Sequence, residues 1–348
     1  MSLTRSAALI VSVCLVLAGC SPATDRDGGT QDAAPSSSTT PSTSPGTSDG
    51  VPSVAATPTS APHPVSLPAL MDKEIRGEGL KRVAEVGTTE AYAQHRVSYR
   101  SGDLTISGLM NVPRGKGPFP AVVLAHGYID PDVYANGQGL RREQDLLARE
   151  GFVTLHVDYR GHAQSDPSTE FEQSSRLGYT EDVISAVLAL RAWDGPVDDD
   201  RVALLGRSMG GGVVYNALTV SPGLVDAAVV FAPVSSDMVD NFERWGRPNA
   251  PLARRIISEY GEPADEPEFW SGLSARTYFD RVSEPVMIHH GTADDSCPIA
   301  WSEETVAALE AQGKDVTYHV YQDEQHAFGP QWPLSMERTV AFLRKNLA

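Results

Sequence analysis

After residue 118 the hydrophobic positions fall into short continuous runs separated by turn residues. Residues 121–125, 152–157, 201–205, 226–231, 285–289 and 316–321 form such runs. Continuous runs of strand length, rather than strict alternation, fit strands covered on both faces, as in a parallel sheet. Helical patterns lie between them, at residues 140–149, 179–193, 211–220, 301–312 and 335–346, and Gly195-Pro196 breaks the second. Ahead of this series, residues 92–99 and 104–112 alternate and are joined by Ser101-Gly102-Asp103, a hairpin signal. Residues 70–87 are charged and mixed and read as a helix or an irregular lead-in. Strands alternating with helices predict an α/β fold, a mostly parallel sheet with helices on both faces. The stretch between Ser235 and Glu284 interrupts the alternation with Trp245, Tyr260, Phe269, Trp270 and several prolines. It reads as a small helical insertion before the next strand, over one end of the sheet, or as a long connection carrying one helix; whether it serves as a lid stays open. No internal repeat is present.

The first 66 residues follow different rules. One positive charge precedes an almost wholly apolar stretch at residues 7–17, too short to span a bilayer and suited to a signal-peptide core. It ends in Leu17-Ala18-Gly19-Cys20, which resembles the bacterial lipobox. The resemblance implies a signal peptide over 1–20, lipidation of Cys20, and a protein anchored to the outer face of the bacterial cell membrane. An ordinary secretory signal that happens to contain a cysteine is the alternative. Residues 21–66 are rich in Ser, Thr, Pro, Gly and Ala, cannot bury a core, and read as a disordered tether open to O-glycosylation. The folded domain is expected over 67–348.

Composition narrows the partners. The chain of 348 residues carries a formal net charge of -17, which argues against nucleic acid, because phosphate binding needs clustered Lys and Arg. Of its cysteines only Cys297 lies beyond residue 20, so the folded part holds no internal disulfide. A core of this size needs none.

The chemistry centres on Gly206-Arg207-Ser208-Met209-Gly210, which fits G-x-S-x-G between a strand run and a helical pattern. This is the strained strand-to-helix turn that raises a serine hydroxyl above a sheet edge. Its glycines are needed where backbone and helix approach closely. Acyl transfer by a serine also needs a base, an acid that orients it, and oxyanion donors. In such sheets the order is Ser, then Asp or Glu, then His. His319 sits inside a strand pattern, whereas His326 lies in a loop at the carboxyl end of the last strand, where ligands bind in such sheets. His326 is therefore the expected base. The acid should follow the preceding strand, where His290-Gly291-Thr292-Ala293-Asp294-Asp295-Ser296-Cys297-Pro298 offers two aspartates. His289 and His290 beside them suggest a metal site, but adjacent strand residues point to opposite faces, which argues against one.

Together these segments resemble the α/β-hydrolase superfamily, in its prolyl-oligopeptidase-like and dienelactone-hydrolase-like branch. That branch has H-G-x-x-D-x-x-V-P, and His290-Gly291 and Pro298 set the register, so the resemblance implies Asp294 as the acid with Asp295 as competitor. Cys297 stands where Val is usual. Ala125-His126-Gly127-Tyr128 resembles the family's H-G-x oxyanion turn, which implies that the backbone N–H groups of Tyr128 and Met209 bind the oxyanion, with His126 structural and Tyr128 available to line the acyl pocket. Residues 158–165 resemble the D-x-R-G-x-G-x-S turn, a packing motif, with Ala163 replacing a glycine.

The resemblance implies a serine hydrolase that cleaves carboxylic ester or short peptide bonds through an acyl-enzyme, without metal or organic cofactor. Peptidase members of the branch carry a large propeller, and the segment ahead of the sheet is too short for one. A feruloyl-type or general carboxylesterase without peptidase activity is the alternative. A metal-free haloperoxidase-like activity would use the same triad. A non-catalytic surface-binding lipoprotein on the same scaffold is the reading from another class, since fold does not imply function. Oligomeric state is not legible.

Overall fold

The apolar runs pair into one sheet in a computed structural model that describes residues 61–167, 169 and 175–348; the leader, Cys20 and nearly all of the tether lie outside these residues. The strands are β1 (Gly77–Thr88), β2 (Tyr92–Ser101), β3 (Leu104–Pro113), β4 (Phe119–Ala125), β5 (Val153–Val157), β6 (Val197–Arg207), β7 (Ala227–Phe231), β8 (Val286–Gly291) and β9 (Val316–Tyr321). Their order in the sheet is β1-β2-β3-β5-β4-β6-β7-β8-β9. From β5 to β9 all neighbours are parallel, while β1, β2 and β3 form an antiparallel end. Residues Thr59–Ala348 form one compact unit.

The helices are α1 (Leu67–Met71), α2 (Arg141–Arg149), α3 (Leu177–Arg191), α4 (Met209–Val220), α5 (Met238–Asn241), α6 (Ala250–Tyr260), α7 (Pro267–Gly272), α8 (Ile299–Ala311) and α9 (Trp332–Asn346). Because side chains alternate between faces of a strand, β4 and β6 feed two cores. Ala121, Val123, Val202 and Leu204 pack with Val183, Val187 and Val213 of α3 and α4. Val122, Leu124, Ala203 and Leu205 pack with Leu147, Met336 and Leu343 of α2 and α9. Full burial of each such side chain is worth roughly 1.5–3 kcal/mol, and burial on both faces is why these runs show no polar alternation.

One expectation is corrected. Residues 70–87 are neither a helix nor irregular throughout: α1 ends at Met71, and from Gly77 the chain is β1. β1 is an edge strand in which only Leu80 is buried, and its pairing with β2 shifts register three times. Charged side chains such as Lys81, Arg82 and Glu85, together with bulges, are how edge strands resist further pairing. They also erase the hydrophobic signal of a strand.

Between β7 and β8 the chain forms α5, a π-helical turn at Phe242–Gly246, α6, α7 and a 3-10 segment at Ala275–Arg281. Phe242, Ala253, Ile256 and Trp270 give this insertion a small core of its own. It is helical, as the first of the two sequence readings expected.

The turn after β5 is held by charge. Arg160 donates to Asp182 through Nη2 at 2.8 Å and through its backbone N–H at 2.8 Å, and Glu181 lies 3.1 Å from the same guanidinium. Asp182 is fully buried. Removing one partner of a buried pair strands the other charge in a poor solvent. Asp182→Ala should therefore destabilise the domain by about 3–5 kcal/mol. Urea unfolding checks this; a loss below about 1 kcal/mol would mean that Glu181 alone neutralises Arg160.

Candidate active site

Strand register brings the functional loops to one edge. Ala125 of β4 is level with Gly206 of β6, Arg207 with Phe231 of β7, Phe231 with His289 of β8, and Gly291 with Tyr321 of β9. The loops that follow these strands therefore open side by side at the carboxyl edge, where open α/β sheets bind ligands.

The β6–α4 turn is the tightest part. Ser208 has φ 56 and ψ -122, a left-handed conformation costly for a residue with a side chain. A Cβ on Gly206 would collide with the Gly210 carbonyl, and one on Gly210 with the Ala125 carbonyl oxygen. Glycine is thus required at both places by backbone-to-backbone contact. The Ser208 carbonyl accepts from the N–H groups of Gly211 (2.9 Å), Gly212 (3.3 Å) and Val234 (3.1 Å), and the Ser208 N–H donates to the Phe231 carbonyl (3.0 Å). These bonds hold the strained residue in place.

The acid and base loops are fastened together. The Ala293 N–H donates to the Glu324 carbonyl at 2.9 Å, and a Cβ on Gly291 would collide with that carbonyl. Glu324 is buried, and its carboxylate accepts from the N–H groups of Gly329 (2.6 Å) and Gln331, which shapes the loop carrying His326. His326 Nδ1 lies 2.8 Å from Asp294 Oδ2. Asp294 Oδ1 accepts from the N–H groups of Ser296 and Cys297, both at 2.9 Å. His290 Nε2 stands 3.2 Å from Asp294 Oδ2. Burial opposes ionisation of Asp294, but hydrogen bonds from His290, His326 and the Cys297 N–H outweigh it and hold the carboxyl well below the usual range. Asp295 is exposed and bonds Ser296 Oγ at 3.4 Å, so of the two aspartates only Asp294 meets His326.

Ser208 completes the cluster in space but not by a hydrogen bond to His326. Its side chain acts on the buried Cys297 thiol, which burial and then Asp294 push up to about 12. Its Cβ also sits against Gly127, 3.1 Å from where a side chain there would begin. The loop expected to donate to an oxyanion is thus beside the serine. Met209 opens α4, so its N–H has no partner within the helix. Among the described residues the Tyr128 N–H donates to no group either. The Tyr128 side chain is 71% exposed and reaches out from the cleft. His126 is fully buried with Nδ1 2.6 Å from the Gly127 carbonyl, stacks on Tyr134 at 4.7 Å, and is held well below the usual imidazole range by burial and by His156.

Residues 138–348 match the peptidase S9, prolyl oligopeptidase family. The chain belongs to the prolyl oligopeptidase family. It is 26% identical over 235 residues to dipeptidyl aminopeptidase BIII of Pseudoxanthomonas mexicana, covering 66% of this chain and 32% of that one. It is 27% identical over 258 residues to the uncharacterized peptidase YtmA of Bacillus subtilis, covering 72% and 93%. It is 29% identical over 208 residues to esterase EstD of Thermotoga maritima, covering 55% and 48%. An acylaminoacyl peptidase in complex with a chloromethyl ketone shares the fold, with TM-score 0.59 and 22% identity over 74% of this chain and 42% of that one. The chain thus spans about a third of the first of these relatives and nearly all of YtmA.

As a prolyl oligopeptidase family member, the chain is an α/β-hydrolase of a family of serine hydrolases. Two departures from its motifs find physical explanations. Ala163 has φ 49, the left-handed conformation that makes glycine the easier residue at that place. Cys297 fills the valine place as a fully buried small side chain. The doubts over His289 and His290 are resolved by register. His289 faces α9 through Thr339 (3.1 Å), while His290 faces α8 through Ser302 (2.7 Å), so no ion bridges both.

Sequence reasoning missed the contacts by which the insertion meets the acid loop, α8 and the start of α3. Arg244 Nη2 donates to the Asp295 carbonyl at 2.6 Å, and Trp245 meets Trp301 edge-on at 5.4 Å between ring centroids. The Arg176 guanidinium lies over the Trp245 ring at 6.0 Å. Glu143, buried between Arg207, Arg142 and the Trp332 indole (2.8 Å), ties α2 to the serine turn and α9. No local pattern marks any of these, because each acts through a contact distant in sequence.

The lowered Asp294 carboxyl has a sign that can be tested. A group depressed in the folded state adds stability above its unfolded value, near pH 4, and loses that contribution as pH falls toward the folded value. The stability gap between the wild type and Asp294→Asn should be constant above about pH 5 and narrow progressively below about pH 4. Urea midpoints from pH 7 to pH 3 check this; a gap that widens on acidification would contradict the assignment.

Proposed function

We propose that this chain hydrolyses carboxylic ester or short peptide bonds, with Ser208 as nucleophile, His326 as general base and Asp294 as the group that orients it. The observation that carries the reading is the Asp294–His326 contact of 2.8 Å on a loop beside a serine held at φ 56. In the first step Ser208 Oγ attacks the carbonyl carbon and its proton passes to His326 Nε2. Asp294 keeps Nδ1–H directed at itself and stabilises the imidazolium. The Tyr128 and Met209 N–H groups bind the tetrahedral oxyanion, each donor worth about 3 kcal/mol. Collapse expels the alcohol or amine, which takes the proton from His326 and leaves an acyl-Ser208. Water, deprotonated by the same base, attacks that ester and frees the acid and Ser208. Before attack, Ser208 must close on His326; catalytic hydrogen bonds often tighten only when substrate is bound.

Peptidases and an esterase both stand among the relatives, which supports a reaction at either bond. Labelling by a fluorophosphonate and hydrolysis of 4-nitrophenyl acetate should both vanish in Ser208→Ala while the far-UV circular dichroism is retained. Labelling that persists in this variant would place the nucleophile elsewhere.

We further propose that the domain is a lipoprotein held outside the cell membrane through Cys20, on the support of Leu17-Ala18-Gly19-Cys20 after a short apolar core. Cys20→Ser should move the protein from the detergent phase to the aqueous phase in a Triton X-114 partition. Continued detergent partition would argue against lipidation.

A further inference from the structure

Arg176, packed near the turn that carries the proposed nucleophile, is a cation that no carboxylate among the described residues neutralises. It stands at the start of α3 with φ 63, a strained backbone for an arginine. One of its terminal nitrogens lies 3.7 Å from where a side chain on Gly212 would begin, so it packs against the first turn of α4, four residues past Ser208. Its guanidinium faces Trp245 at 6.0 Å and acts electrostatically on Cys297, the buried cysteine of the acid loop. Among the described residues it forms no ion pair and donates no side-chain hydrogen bond. Burial pushes the guanidinium down to about 10, the direction expected of a cation that lacks a counter-charge.

The contrast with neighbouring arginines is informative. Arg160, Arg207, Arg247 and Arg276 each have carboxylates within salt-bridge distance. Arg244 also reaches the Cys297 region, and among the described residues its side chain binds the Asp295 carbonyl alone. The carboxylates of the acid loop are otherwise directed: Asp294 to His326 and His290, Asp295 toward Ser296. Beside Trp245 two guanidinium groups therefore stand without an acid among the described residues, in a chain whose net charge is -17. A partly desolvated cation is unfavourable unless something pairs with it, and a planar guanidinium is the group best matched to a carboxylate.

We propose that Arg176, with Arg244 at the rim, is a carboxylate-binding subsite, and that the preferred substrates carry a free carboxylate beside the scissile bond. The inference rests on Ser208 being the nucleophile. It adds the class of substrate, namely monoesters or amides of dicarboxylic acids and acyl compounds that bear an acidic group. The aromatic wall would cover the apolar part of such a substrate while the guanidinium fork takes its charged end.

The test compares two esters of equal chain length on the full chain: the mono-4-nitrophenyl ester of adipic acid, which is an anion, and 4-nitrophenyl hexanoate, which is neutral. A hydrogen bond to a charged group is worth enough that Arg176→Gln should lower kcat/KM for the adipate by about tenfold or more, chiefly through KM, while the hexanoate changes by less than about twofold. Arg176→Lys should recover part of the loss, Arg244→Gln should show a smaller loss of the same sign, and added salt should reduce the wild-type preference. An unchanged ratio between the two esters in Arg176→Gln would overturn the subsite. If neither ester is hydrolysed, the proposed reaction fails, and calorimetric titration of Ser208→Ala with adipate then reads the subsite alone. Binding that weakens about tenfold on adding Arg176→Gln would uphold it, and no adipate binding would overturn it. If Arg176→Gln does not fold, Arg176→Lys and Arg244→Gln must still lower the adipate rate selectively, or the subsite is refuted.

Discussion

Backbone contact at the end of β6 is the constraint from which the site follows. Gly210 lies so close to the Ala125 carbonyl that no side chain fits, and Gly206 lies as close to Gly210. This contact brings the start of α4 against the loop after β4, so Ser208 and Gly127 become neighbours. It also forces Ser208 into its left-handed conformation, which the Phe231 carbonyl and three N–H groups sustain. Parallel register supplies the rest, since strands level with Gly206 deliver the acid and base loops to the same edge. The strain is local, and the cores on both faces of the sheet support it.

How much of this was legible depends on whether a feature is written locally. The central strands could be read because burial on both faces demands unbroken apolar runs. Ser208 could be read because close backbone approach demands glycine at fixed spacing. Between Asp294 and Asp295 the residues alone gave no choice; family register favoured Asp294, and the geometry pairs that residue with His326. β1 was misread because an edge strand is selected for charge rather than hydrophobicity, so its pairing with β2 leaves little trace in composition. Arg176 and the Trp245–Trp301 pair were invisible because their meaning lies in contacts across long stretches of chain.

The charge distribution gives the cleft a character that net charge conceals. A formal -17 describes a surface that repels anions at long range, and salt screens that field beyond roughly 10 Å. Arg176 and Arg244 act within a few ångströms and beside aromatic rings, well inside that distance. A local cation in an acidic shell does not attract anions from afar, but it discriminates among those that arrive. Selectivity would then come from a difference in contact energy within the cleft rather than from steering.

Cys297 bears on how the serine is held before reaction. A thiol pushed up to about 12 stays protonated, so it is not a second nucleophile at neutral pH. Sulfur is also a weak hydrogen-bond partner. Among the described residues the Ser208 hydroxyl makes no strong hydrogen bond at rest, while Asp294 and the loop around Glu324 hold His326 firmly. The arrangement therefore puts rigidity in the acid and base and leaves freedom in one side-chain torsion of the nucleophile. The cysteine accordingly fills the valine place beside the acid without adding a second reactive group.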